Sequence, residues 1–214
     1  MNGRESSDSR EPGARRQSGA RSRSGERSRK PAEQPGGGTA VQAKDAALRL
    51  LTDRARSRAE LEQRLTAKGF TEDIIASVLD RLTEIRLVDD RDFAHQWVQS
   101  RHTYSGRGKQ ALRTELRTKG IEPGIAAEAL DTIEPEDERE RARDLVVKKL
   151  RAPALRSSLG DDIEDPRERR AQRDKVVRKL VSMLARRGFA QGMAFEVVKN
   201  ELEALGNDSE GLEY

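Results

Sequence analysis

The sequence predicts an all-α fold: three tandem repeats of three helices each, forming an elongated, curved array behind a disordered amino-terminal tail. Two observations carry that prediction. One is a pattern that recurs three times, as Leu61-x3-Leu65-x3-Gly69-Phe70, Leu112-x3-Leu116-x3-Gly120-Ile121 and Leu180-x3-Leu184-x3-Gly188-Phe189. Leucines four apart share a helix face, and each glycine stands where a left-handed residue ends a helix. Repeats of this size are units that share a core with their neighbours. The other is composition. With 37% charged residues, 34% hydrophobic and only seven aromatics, a single thick core is disfavoured and small helical units are favoured.

Taken in order, residues 1–40 are Arg, Ser, Gly and Pro with almost no large aliphatic side chain. They bury too little to offset chain entropy and are expected to be disordered, a solubilising leader rather than a nucleic-acid-binding arm. They carry a net charge of +4, which leaves residues 41–214 formally neutral, with 33 charges of each sign. The sequence pI near 9.5 is thus a property of the tail and weakens any inference from basic charge to DNA binding.

The first repeat, 41–88, opens with an Ala/Leu-rich helix from about Val41 to Asp53. Ser57-Arg58-Ala59-Glu60 has the spacing of a capping box for the second helix, and Thr71 is placed to cap the third. There Ile74, Ile75, Val78, Leu79 and Leu82 keep the spacing of a buried face. In the second repeat, 89–134, Asp89 or Asp90 supplies a cap, and Phe93, Trp97 and Arg101 follow on one face. Ser105-Gly106-Arg107-Gly108 breaks that helix, and Glu122-Pro123 starts the third.

The third repeat, 135–205, is longer. Glycine to glycine, the first step is 51 residues and the second 68, which places an insertion near 152–168. Its Pro153, Gly160 and acidic run Asp161, Asp162, Glu164 and Asp165 read as a mobile loop. A long helix then runs to Arg187 and a last one from about Gly192 to Leu205; the acidic end, 206–214, is expected to fray.

Catalytic chemistry finds little support. There is no cysteine, no Gly-x-Ser-x-Gly and no complete phosphate loop, and the carboxylates alternate with Lys/Arg as on solvated helix faces. His95 and His102 lack the further ligands a metal needs and read as solvent-facing. Trp97, beside Phe93, Ala94 and Val98, reads as core rather than as a stacking platform for a base. No run approaches the length of a membrane span, and the amino terminus lacks a signal peptide's apolar core. The expectation is a cytoplasmic protein with no cofactor and no enzymatic activity.

The segment LVDDRDFAHQWVQSRHTYSGRGKQALRTELRTKGI, with Asp90-x2-Phe93-Ala94-x2-Trp97-x3-Arg101 and the thrice-repeated Lys/Arg-Gly-Phe/Ile, resembles the RecX family of bacterial RecA regulators over roughly 43–205. The resemblance implies three three-helix units, no catalysis, and one partner, the RecA–single-stranded-DNA filament. It implies a monomer that lies along the filament groove and mainly inhibits strand exchange and ATPase activity, with at most weak direct DNA binding.

The basic residues suggest where such a partner would sit. The second helices grow more positive along the chain, from +1 over 57–69 to +3 over 108–120 and +5 over 173–187. Lys109, Arg113 and Arg117 form a ridge at i, i+4, i+8, joined by Arg101, Arg107 and Lys119. Lys175, Arg178, Lys179 and Arg186 fall opposite the Val176/Leu180/Leu184 face. These ten are the candidates for facing phosphate or an acidic protein surface. The alternative function is a free-standing helix-turn-helix DNA-binding regulator, since a three-helix unit with a short glycine turn resembles that module. A third is an adaptor that never touches DNA.

Overall fold

The computed structural model describes residues 38–159 and 163–210, with side chains through 205. The expectations for most of the amino-terminal tail, for the centre of the insertion and for the last four residues lie outside the described residues. Within them the chain is all α, as predicted from its repeats: ten α-helices, one 3-10 turn and no strand. They are α1 (Ala40–Asp53), α2 (Arg58–Thr66), α3 (Glu72–Glu84), α4 (Asp90–Ser105), α5 (Lys109–Thr118), α6 (Pro123–Asp131), α7 (Pro135–Leu150), α8 (Pro153–Arg156), α9 (Pro166–Arg186) and α10 (Gln191–Glu210), with the 3-10 turn at Ser157–Leu159 after α8.

The recurring Leu-x3-Gly-Phe/Ile pattern is a helix stop. At α2 the Gly69 N–H donates to the Thr66 carbonyl (2.9 Å) and the Phe70 N–H to the Leu65 carbonyl (3.3 Å). Gly120 and Ile121 repeat the two bonds at α5, and Gly188 and Phe189 at α9. This is the Schellman arrangement, in which the glycine turns left-handed and the next residue folds back over the leucine. The three glycines have φ of +88°, +72° and +88°. Leu65, Leu116 and Leu184 are completely buried, and Ile121 and Phe189 nearly so. Each such side chain contributes about 1.5–3 kcal/mol by leaving water.

Three hydrophobic clusters result. Leu61, Leu65, Ile75, Leu79 and Leu82 centre the first, with Val88 closing it. Phe93, Val98, Leu112, Leu116 and Leu130 centre the second. Val146, Leu180, Leu184, Phe189 and Val198 centre the third. Leu155 and Leu159 join that third core, so the first half of the insertion, expected as a loop, is α8 and the 3-10 turn. Their i, i+4 spacing has the anchoring signal, but the polar residues around them mask it. At the other end α10 continues as helix to Glu210, beyond the end expected at Leu205.

Two caps differ from expectation. Ser57 Oγ accepts from the Glu60 N–H (3.2 Å), but the Glu60 carboxylate turns away to Arg54 and Lys119, so the box is half formed. Thr71 makes no side-chain cap to α3. A complete capping box instead opens α1, where Thr39 and Gln42 exchange both bonds (3.3 and 2.9 Å).

Candidate interaction surface

The second helices of the repeats, α2, α5 and α9, meet end to end. The Ser57 hydroxyl at the start of α2 donates to the Lys119 carbonyl at the end of α5 (2.6 Å). At the start of α5 the Gly108 N–H donates to the Arg187 carbonyl (2.9 Å) and the Gln110 N–H to the Gly188 carbonyl (3.0 Å), both at the end of α9. Helix ends leave N–H and C=O groups without intrahelical partners; the α9–α5 junction satisfies one set with the other, and at the α5–α2 junction the Ser57 hydroxyl takes the Lys119 carbonyl.

A carboxylate from the following repeat completes each junction. Asp90 Oδ1, on α4, accepts from the Arg58 N–H (2.8 Å), and Glu138 Oε1, on α7, from the Lys109 N–H (2.8 Å). Burial pushes the Asp90 carboxyl above its ordinary value, against the opposing pull of Arg58. Arg187 adds a further tie, its Nη1 donating to the Ser105 carbonyl at 2.9 Å. Neither carboxylate cap is marked in the sequence by any repeat. Two repeated positions do point to a common contact: the N-cap position of Ser57 and Gly108, each twelve residues before its repeat's glycine, and the basic residue before the glycine, Lys119 or Arg187.

Of the ten candidate cations, three have partners within the fold. Arg101 grips Glu115 with two bonds (3.0 and 3.2 Å), and Arg107 Nε lies 3.3 Å from the same carboxylate. Lys119 Nζ donates to Glu60 at 2.6 Å, linking the first two repeats. Trp97 sits in this network and is not simply core. Its ring is half-buried, with Phe93 stacked on it at 5.7 Å, while Nε1–H donates to Glu115 (2.9 Å). Lys119 and Arg101 both lie over the indole, at 4.7 and 5.5 Å from its centre, as cations favour.

Charge balance in this network holds two carboxyls ionised. Burial alone would raise Glu60, but hydrogen bonds from Arg54 and Lys119 outweigh it and bring the group down to about 2. Glu115 is likewise lowered, burial being overcome by Arg101 and by the Trp97 N–H. His102, expected to face solvent, is buried with Nδ1 2.8 Å from the Arg107 carbonyl, in the turn that joins α4 to α5. Among the described residues no group of three His, Cys, Asp or Glu side chains converges as a metal site would require.

The other seven candidates divide between two helices. Lys109, half-buried, and the exposed Arg113 and Arg117 lie on α5. Lys175, Arg178, Lys179 and Arg186, all exposed, lie on α9. Among the described residues none of the seven is paired with a carboxylate. The junction at Gly108 and Arg187 therefore joins the end of one helix bearing these cations to the start of the other. No helix of the described residues is long and apolar enough to cross a membrane.

Comparison with known proteins identifies the family. The family model for the first three-helix domain of RecX matches residues 43–82, and that for the second matches 89–130. The chain is 48% identical over 161 residues to the regulatory protein RecX of Mycolicibacterium smegmatis, spanning 75% of this chain and 80% of the relative. It is 53% identical over 161 residues to that of Mycolicibacterium vanbaalenii, spanning 75% and 83%. In fold it is similar to the crystal structure of RecX from Lactobacillus salivarius, with a TM-score of 0.60 at 22% identity, covering 75% of this chain and 95% of that one. Three-helix units closed by glycine stops, matched at this identity over most of their length, make this chain a member of the RecX family.

Proposed function

We propose that this chain regulates the bacterial recombinase RecA by binding the RecA–single-stranded-DNA filament and restraining its strand exchange and ATPase activity. Relatives at about half identity are named regulatory proteins, which supports a regulatory rather than catalytic role. The observation that carries the reading is the end-to-end joining of α9 to α5, because it sets Lys175, Arg178, Lys179 and Arg186 in series with Lys109, Arg113 and Arg117. A row of cations fixed by backbone bonds suits a partner that is itself long and periodic in charge. The chain acts as a cytoplasmic monomer in recombinational repair and the SOS response, blocking incoming duplex by occupying the groove. Binding to naked DNA is weak because the folded part carries no net charge.

The helix-turn-helix alternative fits this geometry less well. Such modules insert the first turn of the second helix into the major groove. Here the first turns of α2 and α5 are covered by the ends of α5 and α9.

The decisive experiment measures RecA ATPase on single-stranded DNA with and without the chain, together with binding to preformed filaments. Filament binding at least about tenfold tighter than to either component, with ATPase lowered, is expected. Replacing Lys109, Arg113 and Arg117 together by Gln should weaken filament binding several-fold with stability nearly unchanged, since exposed charges are worth at most about 1 kcal/mol each. The salt dependence should flatten by a slope of about 0.7–0.9 for each phosphate that the variant no longer neutralises. Equal affinity for filament and naked duplex, with a sequence-specific footprint, would favour the helix-turn-helix alternative.

A further inference from the structure

A cleft of about 570 Å³ opens in the third repeat between α7, α8 and α9. Among the described residues its rim carries five cations and no carboxylate: Lys148 and Lys149 from the last turn of α7, and Lys179, Arg186 and Arg187 from α9. Its floor is aliphatic, formed by Leu145, Leu155, Leu180 and Met183. Leu155 comes from the insertion, so the segment that sets this repeat apart also builds the cleft. Among the described residues none of the five cations is paired with a carboxylate, and only Arg187 is tied down, to the Ser105 carbonyl.

We propose that this cleft binds an acidic polypeptide segment bearing aliphatic anchor residues. The inference rests on the filament reading only where they share Lys179 and Arg186, whose partner it makes polypeptide rather than phosphate. Charge complementarity selects an anionic occupant, because bringing a cationic or neutral segment against five cations that have no carboxylate partner among the described residues gains nothing electrostatically. The floor then discriminates among anions. Single-stranded nucleic acid is held by bases stacked on aromatic rings, and among the described residues no aromatic side chain lines this cleft. Duplex is read by an element that protrudes into a groove, whereas this surface is concave. A peptide with glutamates beside leucines satisfies both parts, its carboxylates on the Lys/Arg rim and its aliphatic side chains on the leucines. Met183, unbranched and polarisable, can adapt to different anchors.

The test titrates the full chain, by fluorescence anisotropy, with three labelled probes of equal charge. They are a glutamate-rich peptide with leucines three and four residues apart, the same peptide with serine for leucine, and oligothymidylate. The leucine peptide is expected to bind at least about tenfold tighter than either other probe. Lys179→Glu with Arg186→Glu should abolish that binding, and Met183→Ser should erase most of the leucine advantage while leaving the serine peptide unchanged. Circular dichroism confirms that each variant is folded. Equal binding of the two peptides, oligothymidylate binding as tightly as the leucine peptide, or no peptide binding at all would each overturn the proposal. Filament binding by the unaltered chain is measured in parallel. Filament binding without peptide binding sinks the cleft assignment alone, and peptide binding without filament binding sinks the regulatory reading alone.

Discussion

Three glycines share one local role but differ in what surrounds them, and this gives an internal control for the helix junctions. Gly69, Gly120 and Gly188 are all left-handed. A Cβ on Gly69 would meet nothing within 4 Å, whereas on Gly120 it would run into the Cβ of Ala59, and on Gly188 into the Cβ and backbone nitrogen of Ala111. Gly69→Ala should therefore cost only the left-handed conformation, about 1–2 kcal/mol. Gly120→Ala should cost that plus the overpacking of α5 against α2, about 1–3 kcal/mol more. Gly188→Ala should cost at least as much, since moving α9 also stretches the Gly188 carbonyl from the Gln110 N–H. Denaturant unfolding of the full chain measures all three. A double-mutant cycle then separates side-chain obstruction from backbone strain. Ala59→Gly removes the atom that obstructs Gly120→Ala, so the pair should show a coupling of about 1–2 kcal/mol. Ala111→Gly should rescue Gly188→Ala much less, because the Ala111 backbone remains in the way. Equal costs at the three glycines, or no coupling between positions 59 and 120, would refute close-packed junctions.

Two other outcomes follow from single residues. Because Glu60 is held at about 2 in the folded protein, below its ordinary carboxylate value, its ionised form contributes stability above that ordinary value. That contribution is lost as pH falls from about 4.5 toward 2, and Glu60→Gln should flatten the pH dependence of unfolding in this window. Fluorescence of Trp97, the one tryptophan in the chain, offers a local readout, since Lys119 bridges the indole and Glu60; an unchanged pH profile in the variant would count against the ion-paired junction. Arg86, after α3, has φ of +56°, an uncommon value for a residue with a Cβ. Arg86→Gly should be neutral or slightly stabilising, and Arg86→Val should lose about 1–2 kcal/mol. Equal stability of the two variants, read by thermal unfolding, would argue against a fixed left-handed turn.

What the sequence makes legible is what depends on neighbours along the chain. Leucine, glycine and Phe/Ile form a stop within six residues, so the three helix stops are readable from spacing alone. Glu60 is misread by the same local logic. It has the spacing of a capping residue, but Lys119, 59 positions away, competes for its carboxylate. Trp97 reads as core because Phe93, Ala94 and Val98 are apolar, yet those three fill the buried face and leave the indole N–H to find Glu115. His102 is drawn inward by the Arg107 carbonyl in a turn whose shape its own helix does not announce. Among the cations, sequence gives the charge and the helix face but not the pairing. Arg101, Arg107 and Lys119 look like Arg113 and Arg117 until Glu60 and Glu115 are placed in space.

The junctions also bear on how a charged surface can evolve without loss of shape. Were the repeats held together by surface ion pairs, every change in charge would alter their relative placement. In this chain the links between second helices are backbone N–H and C=O groups, the Ser57 hydroxyl and two carboxylates aimed at backbone N–H groups. These bonds specify a glycine or small residue at the joint and leave the outward positions free. The exposed faces of α5 and α9 can then accumulate Lys and Arg, as the rise from +1 to +3 to +5 along the second helices indicates, without disturbing the joints. The exception is the Arg54–Glu60–Lys119–Trp97 network, where side-chain charge does link the first and second repeats. Changes in pH or charge at that joint should alter the placement of the first repeat through a side-chain ion pair, whereas at the joint between the second and third the charged groups, Glu138 and Arg187, bind backbone N–H and C=O groups.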